Sequence, residues 1–511
     1  MNNTNTYPAG SKSGHFRWEE WIVEAEIADM QAEMESGSLT AEQLTDLYLE
    51  RIRSYDGIIN SVLELNPDAL DIARQLDRER QVSGARSRLH GIPVLVKDNI
   101  GTADKLHTSA GSLALADSYA PSDAYIVSRL REAGAVILGK ANMTEWANFM
   151  SPAMWAGYSS RGGLVLNPYG PGELFVGGSS SGSAAAAAAN LTAATVGTET
   201  SGSIIGPASQ NSVVGLKPTV GLVSRTGIIP GMESQDTAGP IARTVTDAAI
   251  LLSAMVGIDH RDRSTLASQE AAHSDYTAFL DADYLQHARI GIPRAYYEDL
   301  DAAALALMES AISVLKAQGA VVIDPVELPC SSFQWSPVML QYEFKRGINR
   351  YLSELGDSAP VRSLREVIEF NTEYGDLALK YGQGTLEWLE QSGNEISEEE
   401  YAEQLRRSRQ QARAQGIDYA LTKYNLDALM FPGFHGTDIA ARAGYPLITV
   451  PAGYTSTGVI TPGGYTTKGP HGVTFSASAF SEPALIAIAY GFEQAAKRRV
   501  PPLISQSNHI S

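Results

Sequence analysis

Three segments of this 511-residue chain concentrate groups able to do chemistry. The first centres on Lys97. It closes a short apolar run, Ile92, Pro93, Val94, Leu95 and Val96, which is bounded by Gly91 and followed by Asp98 and Asn99. Such a run reads as a buried strand, and ligands of α/β sheets gather at the carboxyl ends of strands. Most lysines face solvent. One held at a buried strand end loses hydration as an ammonium, so its pKa falls toward that of a usable base. The second segment is Gly177, Gly178, Ser179, Ser180, Ser181, Gly182 and Ser183, followed by six alanines and Asn190. By composition alone it fits a flexible linker. The alanine run directly after it and the strand-like Ala193–Val196 favour instead a turn that opens a packed helix. Such a turn presents N–H groups and hydroxyls to developing negative charge. The third segment, Gly197 to Ala208, follows that strand and is rich in residues that leave backbone N–H groups free, although many ordinary loops share this composition.

The serine run also contains a literal GxSxG, from Gly178 to Gly182 and centred on Ser180, with a helix after it as a nucleophile elbow requires. An α/β-hydrolase-type esterase with a Ser180 nucleophile would need an acid and a histidine downstream, for which His435 and His471 are candidates. It would leave Lys97 and residues 197–208 without a role. The nine histidines show no metal-binding spacing, and the chain carries neither GxxxxGK[ST] nor a GxGxxG after a strand. No metal site and no cofactor are expected. One cysteine, Cys330, rules out a disulfide scaffold, and 39 Lys and Arg against 58 Asp and Glu give a net charge of −19, unsuited to nucleic acid. Without a long apolar segment or a secretory leader, the expectation is a protein of the cytoplasm that neither enters a membrane nor binds nucleic acid. It would act as a monomer or homo-oligomer.

These segments need a scaffold. Thr40 and Gln43 make a capping box for a helix of about 41–55, and a second helix is expected over about 68–81. Helix then strand recurs at 123–138 and 302–323, with further strands near 289–293, 428–431 and 446–450. Helices are expected near 244–256, 397–424 and 482–498. Alternation of this kind, with nearly continuous apolar strands, predicts an α/β fold: a large mixed, mostly parallel sheet covered by helices on both faces. A single domain is expected over 20–500, with a possible helical lobe at 331–425 and tails at 1–19 and 501–511. The tryptophans are expected in the core, and Lys497, Arg498 and Arg499 as favourable charge at the end of the last helix.

The ordered motifs together resemble the amidase signature family of serine hydrolases along almost the whole chain. They comprise Gly91 to Asn99, the Gly/Ser run at 177–183, Gly197 to Ala208 continuing into Val214 to Thr219, Ser234 to Pro240, and Gly469 to Val473. Segments 107–115, 224–230 and 481–483 are similar to its peptide amidases. The resemblance implies the amidase signature fold and hydrolysis of carboxamides, such as C-terminal amides of peptides, through an acyl-serine. It assigns Ser203 as nucleophile, Ser179, with a cis peptide bond before it, as the bridging serine, and Lys97 as base. The backbone N–H groups of Thr200, Ser201, Gly202 and Ser203 would bind the oxyanion. A glutamine-hydrolysing subunit that supplies ammonia to an amidotransferase partner is the alternative within the family. Three features depart from the common pattern. Ile205 stands where many members carry Arg, Ser201 where peptide amidases tend to carry Asp, and Thr455–Lys468 reads as an insertion.

Overall fold

The computed structural model describes residues 17–356, 359–456 and 468–504. Most of both expected tails and nearly all of the 455–468 insertion lie outside the described residues. The strands are β1 (Val62–Leu65), β2 (Pro93–Lys97), β3 (Val136–Ala141), β4 (Tyr158–Ser159), β5 (Gly163–Leu164), β6 (Ala194–Glu199), β7 (Val214–Lys217), β8 (Thr237–Ala242), β9 (Arg289–Gly291), β10 (Val321–Ile323), β11 (Ala428–Pro432), β12 (Leu447–Thr455) and β13 (Gly469–Ser476). Eleven of them form one mixed sheet in the order β1-β3-β2-β6-β8-β7-β12-β13-β11-β9-β10, and β4 pairs with β5 in a separate hairpin.

Two blocks of the sheet are parallel, β3-β2-β6 and β11-β9-β10. The strands between them, from β6 through β8, β7, β12 and β13 to β11, pair antiparallel. Strand direction is not written in the apolar pattern here. Strands β2, β3, β6, β7, β8 and β11 are buried at every position, so none shows the one-sided alternation that marks an antiparallel sheet with a wet face.

The expected helices form with local chemistry that explains their ends. Thr40 Oγ1 accepts the Gln43 N–H at 3.1 Å and Gln43 Oε1 accepts the Thr40 N–H at 3.0 Å, so the capping box is complete. The helix Ala41–Arg51 then continues through a π-helical turn, Ile52–Asp56. The span expected as one helix at 397–424 is two, Glu398–Ala412 and Ile417–Tyr424, with Arg413 and Gly416 out of helical geometry between them. Helices Val338–Glu354, Leu364–Tyr374 and Gly384–Ser392 bury Phe344, Ile348, Leu352, Leu364, Leu386 and Leu389 against Ala114, Leu115, Trp146 and Ile229. The 331–425 segment is thereby anchored on the loops that follow β2 and β3.

Two expectations are corrected. Trp146 is buried, but Trp18, Trp21, Trp155 and Trp335 are only partly so, and Trp388 is exposed, because an indole this large seldom finds full cover. Arg499 serves a different helix from the one it follows. It pairs with Glu24 at 2.6 Å and donates to the carbonyls of Ala188 and Ser212.

The helix Ser181–Ala188 is buried along its whole length, and its alanines let it lie close to the sheet. Its last carbonyls have no following turn to donate to them. Arg499 meets Ala188 O, and Arg51 meets the carbonyls of Ala189 and Asn190 at 3.2 and 2.8 Å. At its start, a Cβ on Gly182 would press into the carbonyl oxygens of Ser61 and Asn142. Gly182→Ala is therefore expected to cost about 1–3 kcal/mol of stability. A thermal unfolding curve at the wild-type Tm would show instead that this turn can give way.

Candidate active site

Lys97, the last residue of β2, is fully buried. Its Nζ lies 2.8 Å from Ser179 Oγ, 2.9 Å from Ser180 Oγ, 2.9 Å from Thr198 Oγ1 and 3.1 Å from the Thr198 carbonyl. Burial pulls its pKa down to about 7, partly opposed by the negative charges of Glu199 and Asp236. The strand end, the Gly/Ser turn and the end of β6 thus meet at one amine. The peptide bond between Gly178 and Ser179 is cis.

Counting protons around Nζ separates the two serines. The Thr198 carbonyl can only accept, so one Nζ–H points to it. Ser180 Oγ donates its own proton to that same carbonyl at 3.0 Å and accepts the Thr198 N–H at 3.2 Å, so toward Nζ it acts as an acceptor. Ser179 Oγ has Nζ as its one hydrogen-bond partner among the described residues. A neutral amine has two N–H donors and one lone pair, and the lone pair suits a hydroxyl that still has a proton to give. Ser180, by contrast, is buried with its hydroxyl committed to Thr198 and Lys97. Neither His435 nor His471 is among its partners, so the elbow arrangement around Ser180 is not assembled.

Ser203 sits next to this cluster, because the Ser180 N–H donates to the Ser203 carbonyl at 3.1 Å. Ser203 is 8% exposed, and its Oγ has no hydrogen-bond partner among the described residues. The loop that carries it is organised by Glu199, whose Oε2 accepts the N–H groups of Ile204 and Ile205 at 2.7 and 2.9 Å. The preceding N–H groups, of Thr200, Ser201, Gly202 and Ser203, have no protein acceptor among the described residues. Gly202 takes φ +81°, which lets the chain reverse there. Ser201 is exposed, whereas Ile205 is wholly buried in an apolar cluster with Ala184, Ala187 and Ala188. A guanidinium at 205 would need a partner that this cluster does not offer.

Two more lysines are equally buried. Lys140 ends on the Ile100 carbonyl and, at 2.9 Å, on Thr108 Oγ1, and Lys217 on the carbonyls of Tyr445 and Pro218 at 2.7 and 3.2 Å. Burial lowers each to about 8. Of the three, Lys97 alone meets serine hydroxyls. The residues that sequence reasoning missed are those holding the cluster from outside. Thr198 supplies two contacts to Nζ, and Asn99 Nδ2 donates to Thr198 Oγ1 at 3.0 Å. Asp236 accepts from Thr200 Oγ1 at 2.6 Å and from the N–H groups of Gly231 and Met232. Asn99, Thr198, Glu199, Thr200 and Asp236 form one side of a cleft of about 550 Å³, and Gly347, Arg350, Tyr351 and Leu355 from the helical segment form another. Among the described residues no helix is long and apolar enough to cross a membrane.

A buried lysine hydrogen-bonded to serines on Gly/Ser loops of a mixed sheet defines a class of serine–lysine amide hydrolases. The Amidase family model matches residues 43–486. An Arabidopsis thaliana protein named "Probable amidase" is 42% identical over 492 residues, covering 94% of this chain and 92% of its own length. The solved structure of native peptide amidase from Stenotrophomonas maltophilia is 43% identical, with TM-score 0.85 over 94% of this chain and 99% of that one. A glutamyl-tRNA(Gln) amidotransferase subunit from Halorhodospira halophila is 40% identical over 304 residues, 59% of this chain and 60% of that protein. The chain belongs to the amidase signature family and is an amidase with that family's fold.

Lys97 carries a stability signature. Its folded pKa of about 7 lies below the unfolded value of 10.5, so between these pH values the unfolded state binds more protons. Stability contributed by this group therefore rises with pH across that window. The unfolding free energy of the wild type minus that of Lys97→Met should climb by up to about 1.4 kcal/mol per pH unit between about pH 7 and 10. A flat difference would mean the amine stays charged when buried.

Proposed function

We propose that this amidase cleaves the terminal carboxamide of peptides, or similar linear amides, with Ser203 as nucleophile, Ser179 as proton relay and Lys97 as base. The observation that carries the reading is the Lys97 amine. It is buried, lowered to about 7 and hydrogen-bonded to Ser179. A serine hydroxyl attacks well only when a base takes its proton, and an ammonium cannot do so. In the proposed cycle neutral Lys97 draws the Ser179 proton while Ser179 draws that of Ser203. Ser203 Oγ then adds to the substrate carbonyl. The N–H groups of residues 200–203 hold the oxyanion, an effect for which one donor is typically worth about 100-fold or more in rate. The proton returns through Ser179 to the leaving nitrogen, ammonia departs, and water hydrolyses the acyl-Ser203 by the same relay in reverse.

The peptide substrate is inferred from likeness over the full chain to an enzyme named for acting on peptides. Likeness to the amidotransferase protein extends over 59% of the chain. Free glutamine is accordingly the comparison substrate, and its hydrolysis without peptide-amide activity would favour the ammonia-supplying alternative.

Labelling with a fluorophosphonate followed by peptide mapping should place the adduct on Ser203, and Ser203→Ala should lose labelling and turnover together. An adduct on Ser180 would sink this assignment. Because Lys97 acts as the neutral amine, kcat/KM should fall about tenfold per pH unit below about pH 7 and level off above it. A profile flat down to about pH 5 would remove Lys97 as the base.

A further inference from the structure

Three polar atoms on residues lining the cleft are buried and have no hydrogen-bond partner among the described residues: Asn99 Oδ1, Glu199 Oε1 and Tyr351 Oη. As whole residues Asn99 and Glu199 are 4% and 1% exposed. A buried polar atom without a partner costs stability, so three on one cleft call for a ligand that completes them.

The remaining capacity of each side chain defines what that ligand must bring. Asn99 Nδ2 is committed to Thr198 Oγ1 and faces the Ile229 carbonyl at 3.5 Å, which fixes Oδ1 as the free atom. Glu199 Oε2 is committed to the N–H groups of Ile204 and Ile205, which leaves Oε1. Two acceptors on the floor therefore lack N–H donors. Tyr351, on the helix Val338–Glu354 across the cleft, offers a hydroxyl that can donate to a carbonyl. A ligand with N–H donors and a carbonyl acceptor side by side is a peptide group.

The geometry points to a subsite for a peptide bond of the acyl chain, next to the amide that is cut, with Tyr351 as a specificity-determining residue. This rests on the hydrolytic reading above and deepens it. A simple alkyl carboxamide places its one amide at the reacting centre and leaves all three atoms unpaired, whereas an N-acylated dipeptide amide has further N–H and C=O groups to give them. Asn99 and Glu199 are each one hydrogen bond from the groups around the lysine or from the nucleophile loop, so their replacement would disturb the chemistry as well. Tyr351 stands apart on the helical segment, and its hydroxyl has no structural partner to lose among the described residues.

Tyr351→Phe tests the assignment. The ratio of kcat/KM for an N-acetyl dipeptide amide over that for hexanamide should fall about tenfold, mainly through KM of the dipeptide amide. The Tm should be no lower than that of the wild type. An unchanged ratio, or a lower Tm that reveals a structural role for the hydroxyl, overturns the proposal. Calorimetric binding of both ligands to Ser203→Ala separates this inference from the hydrolytic one. If the wild type released no ammonia from either ligand, the proposed function would fail. The subsite would still stand if Ser203→Ala preferred the dipeptide amide and the added Tyr351→Phe removed that preference, and equal binding of the two ligands would overturn it.

Discussion

Burial takes the Lys97 amine out of water, and the ammonium loses far more by that transfer than the neutral form does. What surrounds the amine is correspondingly specific. Four oxygens from Ser179, Ser180 and Thr198 lie within 3.1 Å of Nζ, and none is a carboxylate that would hold the proton in place. The negative charges of Glu199 and Asp236 oppose the downward shift without reversing it. A direct carboxylate partner would have restored an ordinary charged lysine.

Keeping four oxygens around one amine requires three chain segments to be held rigidly, and the scaffold does this with groups that are themselves buried. The strand β2 is fixed by parallel neighbours on both sides. The Gly/Ser turn is fixed by the alanine helix after it, whose far end is closed by Arg51 and Arg499 in place of solvent. The nucleophile loop is fixed by Glu199, which gathers the N–H groups just after Ser203 and leaves those before it unpaired. One carboxylate thus separates the N–H groups that build the loop from those left to meet a substrate.

The helical segment after residue 331 completes the arrangement. It shares an apolar cluster with Ala114, Leu115, Trp146 and Ile229, and so rests on the loops that leave the sheet near Lys97. Glu343 ties it further, accepting the Ser234 N–H and the Tyr401 hydroxyl, each at 2.8 Å. The cleft has the site on one wall and this segment on the other, so the distal part of a substrate meets residues remote in sequence from the reacting groups.

The apolar run ending at Lys97, the Gly/Ser runs, the capping box at Thr40 and the order of the family motifs are all legible in the chain, because burial and turn geometry leave their mark on neighbouring residues. Strands β7, β8 and β13 are not legible as strands; Gly215, Gly239, Pro240, Gly469, Pro470 and Gly472 lower their apparent β character, and tertiary packing overrides it. The sequence by itself determined that lysines would end buried strands, but it did so three times. Val136 to Lys140 and Val213 to Lys217 carry the same pattern as Ile92 to Lys97. Only the tertiary structure decided which of the three meets serine hydroxyls, that Ser179 rather than Ser180 keeps a proton to give, and that Tyr351 faces the same cleft as Asn99. Local sequence records how deeply a residue is buried, whereas its partners depend on which distant segments the fold brings over it.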